Sequence, residues 1–288
     1  MNKILVLLNP AARGDRAGDL REKIQALSLR AIVRMTSTSG DAREMARAGI
    51  QEGFRTIVAA GGDGTVNEVV NGVAGSDVDL GILPVGTMNV FASELGLPQG
   101  SLSKAWKIIE AGSTRHLDLP TANGSHFVQL AGIGLDAEVV QRTTPDSKRA
   151  LGPLSYLLTL AQVAAKTPPT VRLEPLDSEP REGSFALIGN GRFYGGPFVL
   201  FKDARLDDGL MDVLVFKNQS HWDVVRYVQA IAFGNHPELH DVEAFQTRGL
   251  RVSSPTDVPV ELDGELSGML PCTFSISGKK LRVLAPRE

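Results

Sequence analysis

"VAAGGDGTVNEVVNGV", residues 58–73, decides how the rest of the chain is read. A run of small apolar residues ends in Gly61, Gly62 and Gly64, with Asp63 and Thr65 among them, and a valine-rich segment follows. Ordering glycine backbone is entropically costly, so the cluster points to something bulky that must approach the main chain. A strand, a glycine turn and a helix start form the arrangement in which backbone N–H groups and a helix N-terminus hold phosphate. Taken alone the turn is equally an ordinary strand-to-helix connection. No Gly-Lys-Ser/Thr follows it, and its spacing is not Gly-x-Gly-x-x-Gly.

The flanking sequence repeats the pattern. "KILVLLNP" reads as a buried strand, and "AGDLREKIQALSLR" spaces Leu20, Ile24 and Leu27 at helical intervals. "AIVRMTST" is a strand, "GDAREMARAGIQEG" a helix closing near Gly53, "RTIVAAGG" a third strand, "VNEVVNGVAG" the next helix and "VDLGILPVGT" a fourth strand. This alternation predicts a parallel sheet with ligands at the carboxyl ends of its strands. A second turn of the same character lies in "GILPVGTMNVFASELGLP", residues 81–98, with Pro84, Gly86, Thr87 and Asn89, and "LNPAARG" ends a third strand. Three such strand ends together suit a nucleotide triphosphate.

Beyond about Leu119 the pattern changes to short β-rich runs such as "HFVQLAGIG", "SFALIGNG", "LMDVLVF", "VPVELDGE" and "CTFSISG", separated by Gly, Pro, Asn and Asp turns. Helical segments stand out there only near 151–166 and 220–234. The spacing predicts an antiparallel sandwich or barrel-like second domain, in keeping with two domains for 288 residues. Within it "VELDGELSG" sets Asp263 and Glu265 around a glycine at a strand end. A carboxylate so placed can accept a hydroxyl proton in phosphoryl transfer, although in isolation the segment is an acidic hairpin turn.

Composition narrows the classes. With 42% hydrophobic residues, 22% charged residues and a net charge of −3, the chain does not advertise the basic surface that a nucleic-acid binder needs. The single Cys272 excludes an intramolecular disulfide and a cysteine-rich zinc site and fits a reducing compartment. "HPELH" at 236–240 has Pro237 where a zinc protease motif requires Glu. The apolar run Ile4 to Leu8 is too short for a signal segment. Residues 151–166 are interrupted by Ser155, Tyr156, Thr159 and Gln162 and fall short of the ~20 apolar residues of a spanning helix. The expectation is a cytoplasmic protein, with peripheral contact at the inner face of the membrane and homodimerisation both open.

"GGDGTVNEVVNG", "GILPVGTMNVFASELGLP", "DDGLMDVLVF" at 207–216 and "ELDGE" at 261–265, in that order, resemble the diacylglycerol kinase catalytic-domain family. That family includes bacterial lipid kinases, eukaryotic diacylglycerol kinases, and sphingosine and ceramide kinases. The similarity runs from Asn9-Pro10 to the last strands. It implies an α/β plus β fold: a Rossmann-like nucleotide domain over 1–119, related to those of phosphofructokinase and NAD kinase, and an antiparallel β-sandwich lipid-substrate domain over 120–278. The active site would lie between them, and a strand at about 279–288 would return to the first domain. The implied activity is ATP- and Mg²⁺-dependent transfer of the γ-phosphate to a lipid hydroxyl, diacylglycerol-like, phosphatidylglycerol or sphingoid.

The resemblance also implies site residues. Gly61, Gly62, Asp63, Gly64, Thr65, Val66, Asn67 and Glu68 would line the ATP phosphates and ribose. Asn9 and Thr36 would stand at the first two strand ends, with Gly86, Thr87 and Asn89 in the second glycine turn. Asp63 would orient Mg²⁺ or its waters, Glu265 would accept the hydroxyl proton with Asp263 as second choice, and Asp208 with the carbonyls of Arg205 and Leu210 would hold a structural Mg²⁺. Met88 and Val90 depart from the family pattern, which has small and acidic residues there. A soluble-substrate kinase of the NAD kinase type and a catalytically silent nucleotide- or lipid-binding protein stay open as alternatives.

Overall fold

A computed structural model describes residues 3–12, 17–142, 168–196, 198–276 and 278–287; the helix expected over 151–166 lies outside them. The chain divides into two compact units, Met1–Leu119 with Ser277–Glu288, and Pro120–Ile276.

The first unit is a six-stranded sheet. Its parallel strands are β1 (Ile4–Leu8), β2 (Ala31–Met35), β3 (Thr56–Gly61) and β4 (Asp79–Pro84), and the order is completed by β5 (Thr114–Leu117) and the chain's last strand β20 (Leu281–Leu284) as β2-β1-β3-β4-β20-β5. β20 runs parallel to β4 and antiparallel to β5. Every residue of β1 is buried, as the continuous ILVLL run requires of a strand covered on both faces. Ile4, Val6 and Leu8 pack with Leu20 and Ile24 of α1 (Ala17–Leu27) and with Trp106 and Ile109 of α5 (Leu102–Ala111). On the opposite face, Leu5 and Ile57 close on Gly49 of α2 (Asp41–Gln51). A Cβ at Gly72 of α3 (Asp63–Val73) would lie 2.6 Å from the Cβ of Ala46, so the α2–α3 contact needs glycine. α4 (Val90–Glu94) is a single short turn after β4.

The direction of winding reverses between β1 and β3, since β2 lies on one side of β1 and β3 and β4 on the other. In a doubly wound sheet the crevice opens at the carboxyl ends of such a strand pair. Asn9 and the glycine turn at 61–64 follow those two strands directly.

The second unit contains two six-stranded sheets, β10-β9-β16-β19-β6-β7 and β15-β14-β11-β8-β17-β18, and a small β12-β13 hairpin. The first sheet comprises β6 (Pro120–Ala122), β7 (Ser125–His126), β9 (Val171–Pro175), β10 (Arg181–Gly183), β16 (Gly249–Ser253) and β19 (Cys272–Ile276). The second comprises β8 (Leu130–Ile133), β11 (Phe185–Gly189), β14 (Met211–Phe216), β15 (Val242–Thr247), β17 (Pro259–Leu262) and β18 (Glu265–Met269), and the hairpin pairs Phe193–Tyr194 with Phe198–Val199. All pairings within them are antiparallel. Alternate residues from both sheets, among them Ile133, Leu173, Val213, Val252 and Phe274, form one core, which is a sandwich. Cys272 belongs to that core, where burial pushes its thiol up to about 11.

The outer face of the second sheet is covered by α6 (Leu135–Arg142) and α7 (His221–Phe233). α7 begins with a capping box between Ser220 and Asp223 and ends at the left-handed Gly234. The sequence pattern marked α7 but not α6, which is short and is separated from β8 by the single left-handed Gly134.

Candidate active site

The two glycine turns of the first unit are built against each other. The amides of Val85 and Gly86 both donate to the Gly61 carbonyl, at 3.1 and 3.2 Å. Asp63 spans the gap, its Oδ1 accepting the Phe91 N–H at the start of α4 at 3.2 Å. Burial pushes the Asp63 carboxyl above its usual range, against the pull of the amides of Val90, Phe91, Asn89 and its own residue. The Asn9 Nδ2 donates to Thr65 Oγ1 at 3.0 Å, joining the end of β1 to the first turn of α3. Thr36, buried at the end of β2, donates its N–H to the Leu8 carbonyl.

The glycines serve three different purposes. A Cβ on Gly61 would lie 2.3 Å from Thr65 Oγ1, so this last residue of β3 makes room for a side chain of the helix that follows. A Cβ on Gly86 would lie 2.4 Å from the Gly62 Cα and 2.9 Å from Asn89 Oδ1. Gly62 itself has open space to 3.5 Å, and as N-cap of α3 it gives the helix no side-chain cap. Only this last position has the character of an anion site, in which first-turn N–H groups face outward. Gly86→Ala is therefore expected to destabilise the first unit by about 1–3 kcal/mol, seen as a lower Tm. Gly62→Ala should be tolerated, and equal Tm values for the two variants would refute the contact.

The placement of the other residues corrects several expectations. Val66 is 3% exposed and turned into the core, so its side chain cannot line a phosphate site. Glu68 is spent on the loop after β2, where Oε1 accepts Gly40 N–H at 2.8 Å and Oε2 accepts Ala42 N–H at 3.1 Å. It offsets the unpaired amides at the start of α2. Asn89, left-handed at φ 46°, closes its own turn by accepting from Gly86 N–H and donating to Gly86 O. Asn67 accepts from Asn71 Nδ2 within α3, while Gly64 lies in the helix's first turn and Thr87 is exposed.

In the second unit, Asp263 and Gly264 form the two-residue turn between β17 and β18, with φ of 49° and 86°. Left-handed backbone at both positions is what Asp-Gly favours in a tight hairpin. Leu262 pairs with Glu265 across it. The Asp263 carboxylate accepts three backbone N–H groups: Val128 to Oδ2 at 2.9 Å, and Gln129 and Leu130 to Oδ1 at 2.9 and 3.1 Å. This charge-assisted clamp leaves Asp263 poorly placed as a proton acceptor and corrects its standing as second choice. Glu265 begins a strand that is exposed throughout.

Sequence reasoning missed the buried polar group behind this hairpin. Glu261 is 1% exposed, and its Oε2 accepts the Gly264 N–H at 2.6 Å. Asp136 of α6 accepts a hydrogen bond from the Tyr194 hydroxyl. An acidic residue inside the otherwise apolar "VPVEL" was the available signal.

Asp208 lies in the turn before β14, its Oδ1 accepting Leu210 N–H at 3.0 Å, and the Arg205 side chain turns to Asp207. Burial, together with the nearby Asp208 and Asp203, pushes Asp212 up to about 6. The Mg²⁺ expected at Asp208 would be a hard cation bound through oxygen. Among the described residues no three acidic, His or Cys side chains converge into a metal cage, so such an ion would need backbone carbonyls. His236 is buried with Nε2 2.7 Å from the Leu200 carbonyl.

A mostly parallel sheet bearing paired glycine turns is joined in one chain to an antiparallel sandwich. The diacylglycerol kinase catalytic domain model matches residues 3–122, and that of the YegS C-terminal NAD kinase beta sandwich-like domain matches residues 130–285. A Bacillus subtilis diacylglycerol kinase is 29% identical over all of this chain and 98% of its own length. A Pseudomonas aeruginosa protein described as a probable lipid kinase YegS-like is 36% identical over 88% of this chain and 84% of its own. The crystal structure of a Bacillus anthracis diacylglycerol kinase superposes with a TM-score of 0.80 at 26% identity, covering 99% of this chain and 97% of that one. The chain belongs to the diacylglycerol kinase catalytic-domain family of lipid kinases. Among its described residues no helix is long and apolar enough to cross a membrane.

Proposed function

We propose that this chain is an ATP- and Mg²⁺-dependent lipid kinase that phosphorylates the hydroxyl of a membrane lipid of the diacylglycerol type. The observation that carries this reading is the Asp63 bridge between two glycine turns at adjacent parallel strand ends, in a chain similar along its whole length to a diacylglycerol kinase. ATP binds the first unit, where Gly62 and the first turn of α3 offer backbone N–H groups to phosphate and Asn9 and Thr65 supply polar side chains. Asp63 holds the two turns in register. Glu265 accepts the proton of the lipid hydroxyl as that oxygen bonds to the γ-phosphorus, the bridging P–O bond breaks and ADP leaves with its electron pair.

Mg²⁺ bound with ATP would supply shielding of phosphate charge, and Asp208 with the carbonyls of Arg205 and Leu210 would hold a second ion. An apolar acceptor suits the surroundings of Glu265, because Leu266 and Met269 of the same strand are 46% and 45% exposed. Peripheral contact with the cytoplasmic face of a bilayer belongs to the same reading. The substrate is a membrane lipid, and the outward face of α7 exposes Trp222, Val225, Val228 and Phe233.

The test is incubation of the purified chain with ATP radiolabelled in the γ-phosphate, Mg²⁺, and mixed micelles of diacylglycerol, phosphatidylglycerol or a sphingoid base, with NAD in a parallel reaction. The expected product is a labelled lipid whose formation stops on chelation of Mg²⁺. Labelled NAD, or ATP binding with no labelled acceptor, overturns the reading.

A further inference from the structure

The hairpin that carries Glu265 rests on a buried carboxyl pair with no assigned role. Glu261 faces Gly132 across the β8–β17 ladder. A Cβ built on Gly132 would lie 2.4 Å from Asp136 Oδ2 and 2.7 Å from Glu261 Oε1, so both oxygens converge over that one glycine. Their remaining oxygens are engaged outward: Asp136 Oδ1 with the Tyr194 hydroxyl, and Glu261 Oε2 with the Gly264 N–H. A continuous polar path thus runs from the β12-β13 hairpin through Asp136 and Glu261 to the turn preceding Glu265.

Two carboxylates facing each other in such a place cannot both be ionised at low cost. The groups acting on Glu261 are Asp136 and Asp263, both acidic. Of the elements around it, β8 and β11 carry no ionisable residue, β18 contributes Glu265, the β12-β13 hairpin contributes Tyr194, and α6 adds Glu138 with Arg142 at 3.7 Å. Burial and the neighbouring Asp136 hold the Glu261 carboxyl well above its ordinary range.

We infer that Glu261 and Asp136 are positioning residues that share one proton between Oε1 and Oδ2, and that this shared proton keeps the Asp263–Gly264 turn in the register that presents Glu265. The inference rests on the proposed role of Glu265. Loss of the proton would place two like charges over Gly132 and push Glu261 away from the Gly264 N–H. The pair would be monoanionic in the working enzyme, with a proton transferred to neither substrate.

The sign of the pH effect follows from linkage. An unfolded Glu releases its proton near ~4.3, whereas the folded pair retains it. Stability therefore falls as pH rises above the ordinary Glu range, until the folded pair also ionises. Glu261→Gln supplies a permanent N–H donor to Asp136 and removes this titration.

The experiment measures Tm and lipid-kinase kcat for the wild type and Glu261→Gln from about pH 5 to about pH 9, with Asp136→Asn as a second variant that puts the amide on the other partner should the first not fold. The Tm of the variant should gain on the wild type as pH rises. The ratio of variant to wild-type kcat should climb by roughly threefold or more once the wild-type pair ionises, with the KM for ATP unchanged. Parallel Tm profiles overturn the shared proton, and a lost Tm slope with parallel kcat profiles overturns the positioning role. A wild-type chain without lipid kinase activity overturns the reading of Glu265, and with it the positioning role, while the Tm profiles still decide the shared proton.

Discussion

Glu265→Gln is expected to lower kcat for lipid phosphorylation by about 10²–10⁴-fold, the usual worth of a general base, while leaving Tm and ATP affinity close to wild type. The residue begins an exposed strand, so replacing its carboxylate by an amide of the same shape removes proton acceptance with little change in packing. The turn before it is held by Asp263 and Glu261, neither of which the substitution touches. Measurement of kcat, ATP affinity by calorimetry and Tm on the same preparation separates chemistry from folding. Activity within a few fold of wild type would remove Glu265 from the mechanism.

Asp263→Ala should be the more damaging change to the protein as a whole. It strips the acceptor from three backbone N–H groups of residues 128–130 and forces alanine into a left-handed conformation at φ 49°. Hydrogen bonds to a charged group contribute about 1.5–3 kcal/mol each, but the three share one carboxylate, so their contributions do not add in full. A net loss of about 3–5 kcal/mol is the corresponding expectation. In a domain of this size that lowers Tm by roughly 10 °C. Asp263→Asn should fall between, because asparagine tolerates the left-handed backbone and keeps one acceptor oxygen. Lipid kinase activity should decline with both, since the register of Glu265 depends on the clamp. A Tm for Asp263→Ala equal to wild type would show that the three amides find other partners.

Much of the fold is legible along the chain because its causes are local. The ILVLL and TIVAAG runs can only be strands buried on both faces, and the helices between them carry apolar residues at helical spacing. The Asp-Gly pair at 263–264 names its own hairpin through the backbone conformations it favours. The glycine cluster at 61–64 correctly marks a strand-to-helix turn.

The purpose of each glycine was not legible, since Gly61 serves Thr65 four residues on and Gly86 serves Gly62 across two strands. A one-dimensional reading assigns them all to a ligand. Glu68 likewise reads as a phosphate neighbour from its place in the motif, but the α2–α3 contact turns it to the loop at 39–42.

The sequence by itself determined the alternating strands and helices, the sandwich strands, the turn chemistry and the membership of a lipid-kinase family, because these depend on side-chain pattern and backbone preference over a few residues. Only the tertiary structure decided which carboxylates are spent on backbone amides and which is exposed, and that Glu261 meets Asp136 over Gly132. Those outcomes depend on strand register and helix placement between residues 26 to 135 positions apart, where the free energy of burying a charge is set by neighbours that local sequence does not name.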